Sequence, residues 1–246
     1  LNSLEKIFRK HQIDIIVHLA AQAGVRTSIK KPEIYNRSNV KGFFNILDCA
    51  RKYNISKFIF ASTSSIYGNS KKFPTSEDSN TNDPESFYAA TKKINEIMAY
   101  SYSKIYKMNI VSLRFFTVYG PWGRPDMALF LFTKSIIEKK PIKVFNKGKM
   151  LRDFTYIDDI VESIFLLIKK PAQKDIHFDK LNPDPSRSWA PFKVFNIGNS
   201  KPVSLMEYIQ VLEETLKIKA KIEYLPMQLG DVESTFADTK SLDSYI

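Results

Sequence analysis

A single cysteine, Cys49, leaves no possibility of a disulfide framework and fits a reducing cytosol. Histidine is almost as scarce: His11, His18 and His177 are scattered without ligand spacing, so no metal site is expected. No apolar run approaches the roughly 18 residues that span a bilayer, and the opening LNSLEKIFRKHQ lacks a signal-peptide apolar region. A soluble, cytoplasmic protein without membrane partners is therefore expected. Glycine is sparse as well. The 8 glycines yield no G-x-G-x-x-G, so the turn that cradles a dinucleotide's pyrophosphate at a helix N-terminus is missing from these 246 residues.

The chain carries an excess of one charge sign, +11 net, which invites a nucleic-acid reading. Its lysines argue against one, because they are spread over Lys30-Lys31, Lys71-Lys72, Lys92-Lys93, Lys139-Lys140 and Lys169-Lys170. No run interleaves them with aromatics as a single-strand platform would. Such charge keeps a protein soluble and attracts an anionic small molecule. With 43% hydrophobic and 26% charged residues, the composition is that of an ordinary globular domain.

Short apolar runs alternate with longer amphipathic ones, the pattern of parallel βαβ units. Strands are expected at IDIIVHLA (13–20), KFIFAS (57–62), NIVSLRFF (109–116), IKVF (142–145) and FKVFNIG (192–198). Helices are expected over 3–11, from Pro32 to about Tyr53, and over 85–107, 128–139 and 157–169, with a proline-rich loop at 170–191. The fold class is thus α/β, a doubly wound parallel sheet. In such sheets ligands sit beyond the carboxyl ends of the strands. Three polar loops occupy those places: AAQAGVR (20–26), STSSIYG (62–68) and TVYGPWGR (117–124).

Four Tyr-x-x-x-Lys pairs occur: 53/57, 67/71, 88/92 and 100/104. Such a pair carries chemistry only where both side chains share a helix face near the site. An ammonium beside a phenol lowers a pKa that is otherwise about 10. The first pair straddles a helix end and a strand start, and the second lies in a loop. The fourth is about 18 Å further along the same helix than Tyr88. Tyr88 with Lys92 remains. Thr63, at the end of the 57–62 strand, can offer a hydroxyl to a substrate oxygen beside that tyrosine, although Ser-Thr-Ser-Ser by itself reads more readily as a solvated turn.

Together these segments resemble the extended short-chain dehydrogenase/reductases. HLAAQAGVR is similar to the cofactor-lining segment after the fourth strand, SNVKGFFNIL to the Asn-bearing helix, and ASTSSIYG to the Ser/Thr strand end. FYAATK is similar to the catalytic helix, with Ala89 where the family often has Gly. RFFTVYGPWGRPDMA and MLRDFTYIDDIV are similar to UDP-glucuronate 4-epimerases, which interconvert UDP-glucuronate and UDP-galacturonate with tightly held NAD. The resemblance implies a Rossmann domain lacking its first strands, built from 1–117 and 152–197. It also implies an incomplete nucleotide-sugar lobe, 118–151 and 198–246. By position, Tyr88 is the implied base, Lys92 its pKa partner and ribose ligand, and Thr63 the third catalytic hydroxyl. Ala20, Ala21, Gln22, Asn39 and Phe115 are implied to line NAD together with Tyr88 and Lys92. Ser64, Ser65 and Thr117 are implied to hold the uronate carboxylate, Arg124 to face the sugar pocket, and Phe145, Arg152 and Asp231 to contact the uridine diphosphate end.

Related 4,6-dehydratases carry Asp-Glu after the catalytic Thr, and UDP-glucuronate decarboxylases a Glu nearby; Ser64-Ser65 supplies no carboxyl, which disfavours both reactions. The alternatives left are a UDP-glucose or UDP-N-acetylhexosamine 4-epimerase, and a non-catalytic nucleotide-sugar-binding regulator. A homodimer through helices 33–53 and 85–107 is implied by the same resemblance. Both ends are expected to be cut, with no element closing the chain at SLDSYI. These residues alone are then expected to bind NAD poorly and to expose an aggregation-prone sheet edge.

Overall fold

The apolar residues of 57–63, 109–115 and 192–197 leave few polar positions, as strands covered on both faces must. They pair in parallel at the centre of the molecule. The computed structural model describes residues 2–246, so residue 1 lies outside the described residues. In order, the chain forms α1 (Asn2–Lys10), β1 (Ile15–His18), α2 (Val25–Lys30), α3 (Pro32–Tyr35), α4 (Gly42–Lys52), β2 (Lys57–Thr63), α5 (Phe87–Tyr106), β3 (Asn109–Phe115) and β4 (Thr117–Tyr119). It continues with α6 (Ala128–Ile137), β5 (Ile142–Phe145), β6 (Leu151–Tyr156), α7 (Ile157–Lys169), β7 (Phe192–Ile197), β8 (Pro202–Ser204), α8 (Leu205–Leu216), β9 (Ile222–Leu225) and α9 (Lys240–Tyr245).

The main sheet is parallel in the order β1-β2-β3-β7. Alternate residues point to opposite faces. Phe58, Phe60, Ile110 and Phe192 therefore meet Phe43, Leu47 and Ala50 of α4 and Ala99 of α5. Ile59, Val111, Leu113, Phe195 and Ile197 meet Ile160, Ile164 and Leu167 of α7 on the other face. Each such side chain, fully buried, contributes about 1.5–3 kcal/mol, so register and helix placement are set by these two clusters. The result is the doubly covered α/β sheet that the alternation of runs implies.

The smaller sheets were not legible in advance. β4 pairs in parallel with β6, whose other edge takes β8 antiparallel. β5 pairs in parallel with β9, under α6 and α8, through Phe132, Ile136, Ile142, Val144 and Ile209. The expected helix from Pro32 to Tyr53 is not one α-helix: a π-helical segment, Asn36–Lys41, separates α3 from α4. The expected loop 20–26 already enters α2 at Val25. The chain end also departs from expectation. Residues 241–245 lie in α9, where Leu242 is buried and the Tyr245 ring stands 5.0 Å from Phe195.

Candidate active site

Thr63, Phe115 and Ile197 lie abreast at the carboxyl edge of the main sheet, Thr63 opposite Phe115 and Phe115 opposite Ile197. β1 stops earlier, with His18 opposite Phe60, so its following loop leaves from further back on that edge. Thr63 caps the 3-10 turn Ser64–Tyr67, its Oγ1 accepting from the Ser65 amide at 3.2 Å and contacting Ser65 Oγ at 3.2 Å. The hydroxyl run is thus folded onto the strand end instead of forming a solvated turn.

Tyr88 is the second residue of α5, whose N-cap Ser86 accepts from the Ala89 amide. Burial raises the phenol's pKa; the Thr63 side chain, within hydrogen-bonding reach, and the Arg124 charge work against that rise, and Tyr35 adds to it. One turn on, Lys92 is 3% exposed and donates to Ala61 O at 2.8 Å. Burial pushes its pKa down to about 8, against the pull of Glu96, so it stays mainly cationic at neutral pH. The Lys92 ammonium is turned to a carbonyl of β2, and the Arg124 charge acts beside Thr63 against the rise of the Tyr88 pKa. Lys92 also lies close enough to His18 to act with burial in lowering that imidazole's pKa to about 4, so His18 is neutral.

The loop after β1 is held by Asn39, which is buried. Its side chain accepts from the Gln22 amide at 2.8 Å and donates to Gln22 O at 3.0 Å and Thr91 Oγ1 at 3.1 Å. Thr91 in turn donates to Tyr88 O at 2.8 Å. Leu19, Ala20 and Ala21 are exposed beside this clamp. Phe115 instead leans on the apolar cluster under α7.

The remaining candidates form the opposite wall. Thr117 opens β4, opposite Phe154 of β6. Ser64 lines a small cleft with Tyr67, Phe116, Val232 and Ser234. Arg152 and Asp231 are brought together at 3.1 Å, and Arg152 also donates to Val232 O at 2.8 Å. Arg124 forks onto the Asp126 carboxylate, Nε to Oδ1 at 3.0 Å. Phe145 receives Arg26, whose guanidinium lies 5.6 Å from the ring centroid. Arg26 was absent from the expected set, and so was Asp153. The buried Asp153 carboxylate accepts from the amides of Asn199 at 2.8 Å, Ser200 at 3.1 Å and Ala237 at 2.9 Å, tying two distant segments to β6. Asp153→Asn sets an amide NH2 against those donors; a loss of about 1.5–3 kcal/mol in urea unfolding is expected, and an unchanged midpoint would refute this role.

Among the described residues no helix is long and apolar enough to cross a membrane, and no group of three or more His, Cys, Asp or Glu is placed to hold a metal ion.

The arrangement places a phenol, an ammonium and a hydroxyl at one strand edge, between a clamped loop and an arginine-bearing wall. The profile of the NAD dependent epimerase/dehydratase family matches residues 1–184. Protein CapI of Staphylococcus aureus is 52% identical over 98% of this chain and 72% of its own length. A probable UDP-glucuronate 4-epimerase of Rhizobium meliloti is 44% identical over 98% of this chain and 71% of its own. Among solved structures, UDP-glucuronic acid 4-epimerase from Bacillus cereus, in complex with UDP-glucuronic acid and NAD, superposes with a TM-score of 0.85 at 34% identity, over 98% of this chain and 71% of that one.

Proposed function

The chain belongs to the NAD-dependent epimerase/dehydratase family, and on that footing we propose that the full-length protein is an isomerase that uses NAD to invert C4 of a UDP-sugar, converting UDP-glucuronate to UDP-galacturonate. Relatives and solved neighbours named as UDP-glucuronate 4-epimerases support this reading. The observation that carries it is the placement of Thr63 at the carboxyl end of β2, Tyr88 in the first turn of α5 and Lys92 one turn on with its ammonium against Ala61 O of β2.

The residues present fit NAD. The Lys92 ammonium has three donors and meets one acceptor, Ala61 O, which leaves capacity for ribose hydroxyls. Beside it runs the exposed stretch Ala20-Ala21, next to Gln22, which Asn39 holds. What NAD supplies when bound is reversible hydride acceptance at C4. Tyr88 takes the 4-OH proton and later returns it to the inverted carbon's oxygen, and Thr63 hydrogen-bonds the same oxygen. Arg152, Asp231 and Phe145 anchor the uridine diphosphate while the oxidised sugar turns over, and Arg124 faces the sugar.

A 4-keto uronate is a β-keto acid and loses CO₂ when its C–C bond stands perpendicular to the ketone plane. An epimerase must hold the carboxylate out of that orientation. Ser64, Ser65 and Thr117 supply hydroxyls for it, each hydrogen bond to a charged group contributing about 1.5–3 kcal/mol. Thr117→Ala should weaken UDP-glucuronate binding by roughly 10- to 150-fold and release CO₂ or keto product; a variant that does neither rejects this part. Assaying UDP-glucuronate, UDP-glucose and UDP-N-acetylhexosamines side by side tests the substrate itself. Inversion of the neutral sugars alone would replace the reading, and no turnover on any would favour a non-catalytic binding role.

The same proposal includes cytoplasmic placement and the two-lobe division at 1–117 with 152–197 and 118–151 with 198–246. It also includes a homodimer through helices 33–53 and 85–107. Exposed Phe44 on α4 and exposed Ile94, Ile97 and Ile105 on α5 support an apolar face there. Ile97→Lys should shift sedimentation from dimer to monomer; a wild-type protein that sediments as a monomer would refute the dimer.

A further inference from the structure

Tyr35 and Ser28 stand between the loop after β1 and the first turn of α5, and neither belongs to the catalytic set above. Tyr35, at the end of α3, is fully buried. Its hydroxyl lies 2.8 Å from Ala23 O and 2.6 Å from Gly24 O, so one proton serves two consecutive carbonyls. Its ring meets the Tyr88 ring edge-on, with centroids 6.2 Å apart and planes at 76°. Ser28, also fully buried, donates to Val25 O at 2.6 Å and accepts from the Tyr88 amide at 3.1 Å. That amide is one of the first-turn N–H groups that a helix cannot satisfy itself. The local cap Ser86 takes the Ala89 amide, so the first turn of α5 is capped a second time by a residue 60 positions earlier. Gly24 closes the arrangement at φ 106; a Cβ built there would sit 3.5 Å from the Tyr35 hydroxyl and 3.4 Å from the Arg124 guanidinium.

We propose that Tyr35 and Ser28 are positioning residues that join the Tyr88 phenol and the 19–24 loop into one rigid unit, so that the base and the cofactor side of the site keep a fixed separation through the reaction. The inference rests on the epimerase reading. Its physical basis is that proton transfer needs about 2.6–3.2 Å between heavy atoms, and a misplacement of about 1 Å costs roughly 100-fold in rate. At a helix N-terminus a tyrosine has little helix above it to restrain its ring. Here the Tyr35 ring supplies that restraint, and the Tyr35 hydroxyl passes it to the loop.

The test uses the full-length protein with NAD and whichever UDP-sugar the wild type inverts. The groups facing the phenol are Thr63 from β2, Tyr35 from α3 and Arg124 from the loop before α6, with Lys92 a turn along α5. Tyr35→Leu removes the ring. It should lower kcat by about 10- to 100-fold with KM for the UDP-sugar nearly unchanged. The rise of rate with pH should move to lower pH, because water reaches a phenol whose pKa burial holds up. Tyr35→Phe keeps the ring; it should restore most of kcat and the pH profile but weaken NAD binding, since the loop loses its tether. Ser28→Ala should lower kcat by several-fold. Equal losses in the Leu and Phe variants with an unmoved pH profile, or unchanged NAD affinity in Tyr35→Phe, would overturn the proposal. If Tyr35→Leu does not fold, Ser28→Ala decides, and an undiminished kcat there overturns it. A wild type inactive on every UDP-sugar counts instead against the function proposed above.

Discussion

Tyr88→Phe in the full-length protein should lower kcat for C4 inversion by about 10²–10⁴-fold, the range that a positioned acid–base group contributes, while the Kd for the UDP-sugar barely changes. The substitution is sparing. Phenylalanine keeps the ring that packs edge-on against Tyr35, and α5 keeps both of its N-terminal caps. Only the O–H is lost, and with it the group that takes the 4-OH proton and returns it after inversion. Calorimetric titration with UDP-glucuronate beside a coupled C4-inversion assay separates the two effects. A Phe variant within tenfold of wild-type kcat would remove Tyr88 from the mechanism. The pH dependence adds a second check. Burial holds the Tyr88 phenol above its ordinary range and Lys92 at about 8, so the lysine's positive charge is lost as pH rises through about 8. Activity that needs this cation should therefore decline above that point.

The largest expected stability effect lies beneath the site. Glu96, two turns along α5 from Tyr88, accepts a fork from Arg114 of β3, Nε to Oε1 at 3.0 Å and Nη2 to Oε2 at 2.9 Å. Ser62 and Ser112 add hydrogen bonds at 2.7 and 3.2 Å, and Arg114 also donates to Tyr67 Oη and Glu77 O. The pair is almost fully enclosed, with side-chain exposures of 0% for Arg114 and 6% for Glu96. Removing one partner leaves an uncompensated buried charge, so Glu96→Ala or Arg114→Ala should each cost about 3–5 kcal/mol. Replacing both with apolar residues of similar volume should cost less than either single change. Singles costing under about 1 kcal/mol in urea unfolding would show that the charges are not what holds α5 to the sheet.

The sign of the pH effect follows from the same contacts. Burial alone would raise the Glu96 pKa, but Arg114 and the Ser62 hydrogen bond outweigh it and the folded value is depressed. The stability it contributes is then complete above the unfolded carboxylate pKa of about 4.3 and is lost as pH falls through the folded value. Glu96→Gln should accordingly flatten the acid limb of the stability curve.

Spacing alone offered four Tyr-x-x-x-Lys pairs, since four residues on a helix bring two side chains to one face wherever they lie; the place of Tyr88 and Lys92 in the first turns of the helix after the 57–62 strand singled them out. The place of Thr63 at the carboxyl edge was legible because a parallel strand delivers its last residue there. The influence of Arg124 was not: its charge opposes the rise of the Tyr88 pKa from a separate loop, and no periodicity predicts that. Tyr35 shared helical spacing with Asn39, a signal that could have marked it, yet its contact with Tyr88 spans more than fifty residues. The β5–β9 pairing and the Asp153 clamp join segments 46 to 84 residues apart, beyond the reach of any local pattern.

By itself the order of residues determined the α/β class, the alternation of strand and helix, and which short polar loops leave the sheet at its reactive edge. Those properties depend on neighbours within a turn or a strand, where backbone geometry is stiff. Only tertiary structure decided where the charges of Arg114, Arg124 and Lys92 come to rest and which buried groups hold Tyr88 still. Those outcomes depend on closing long loops and on desolvating particular atoms together, and both are settled only once the chain has packed.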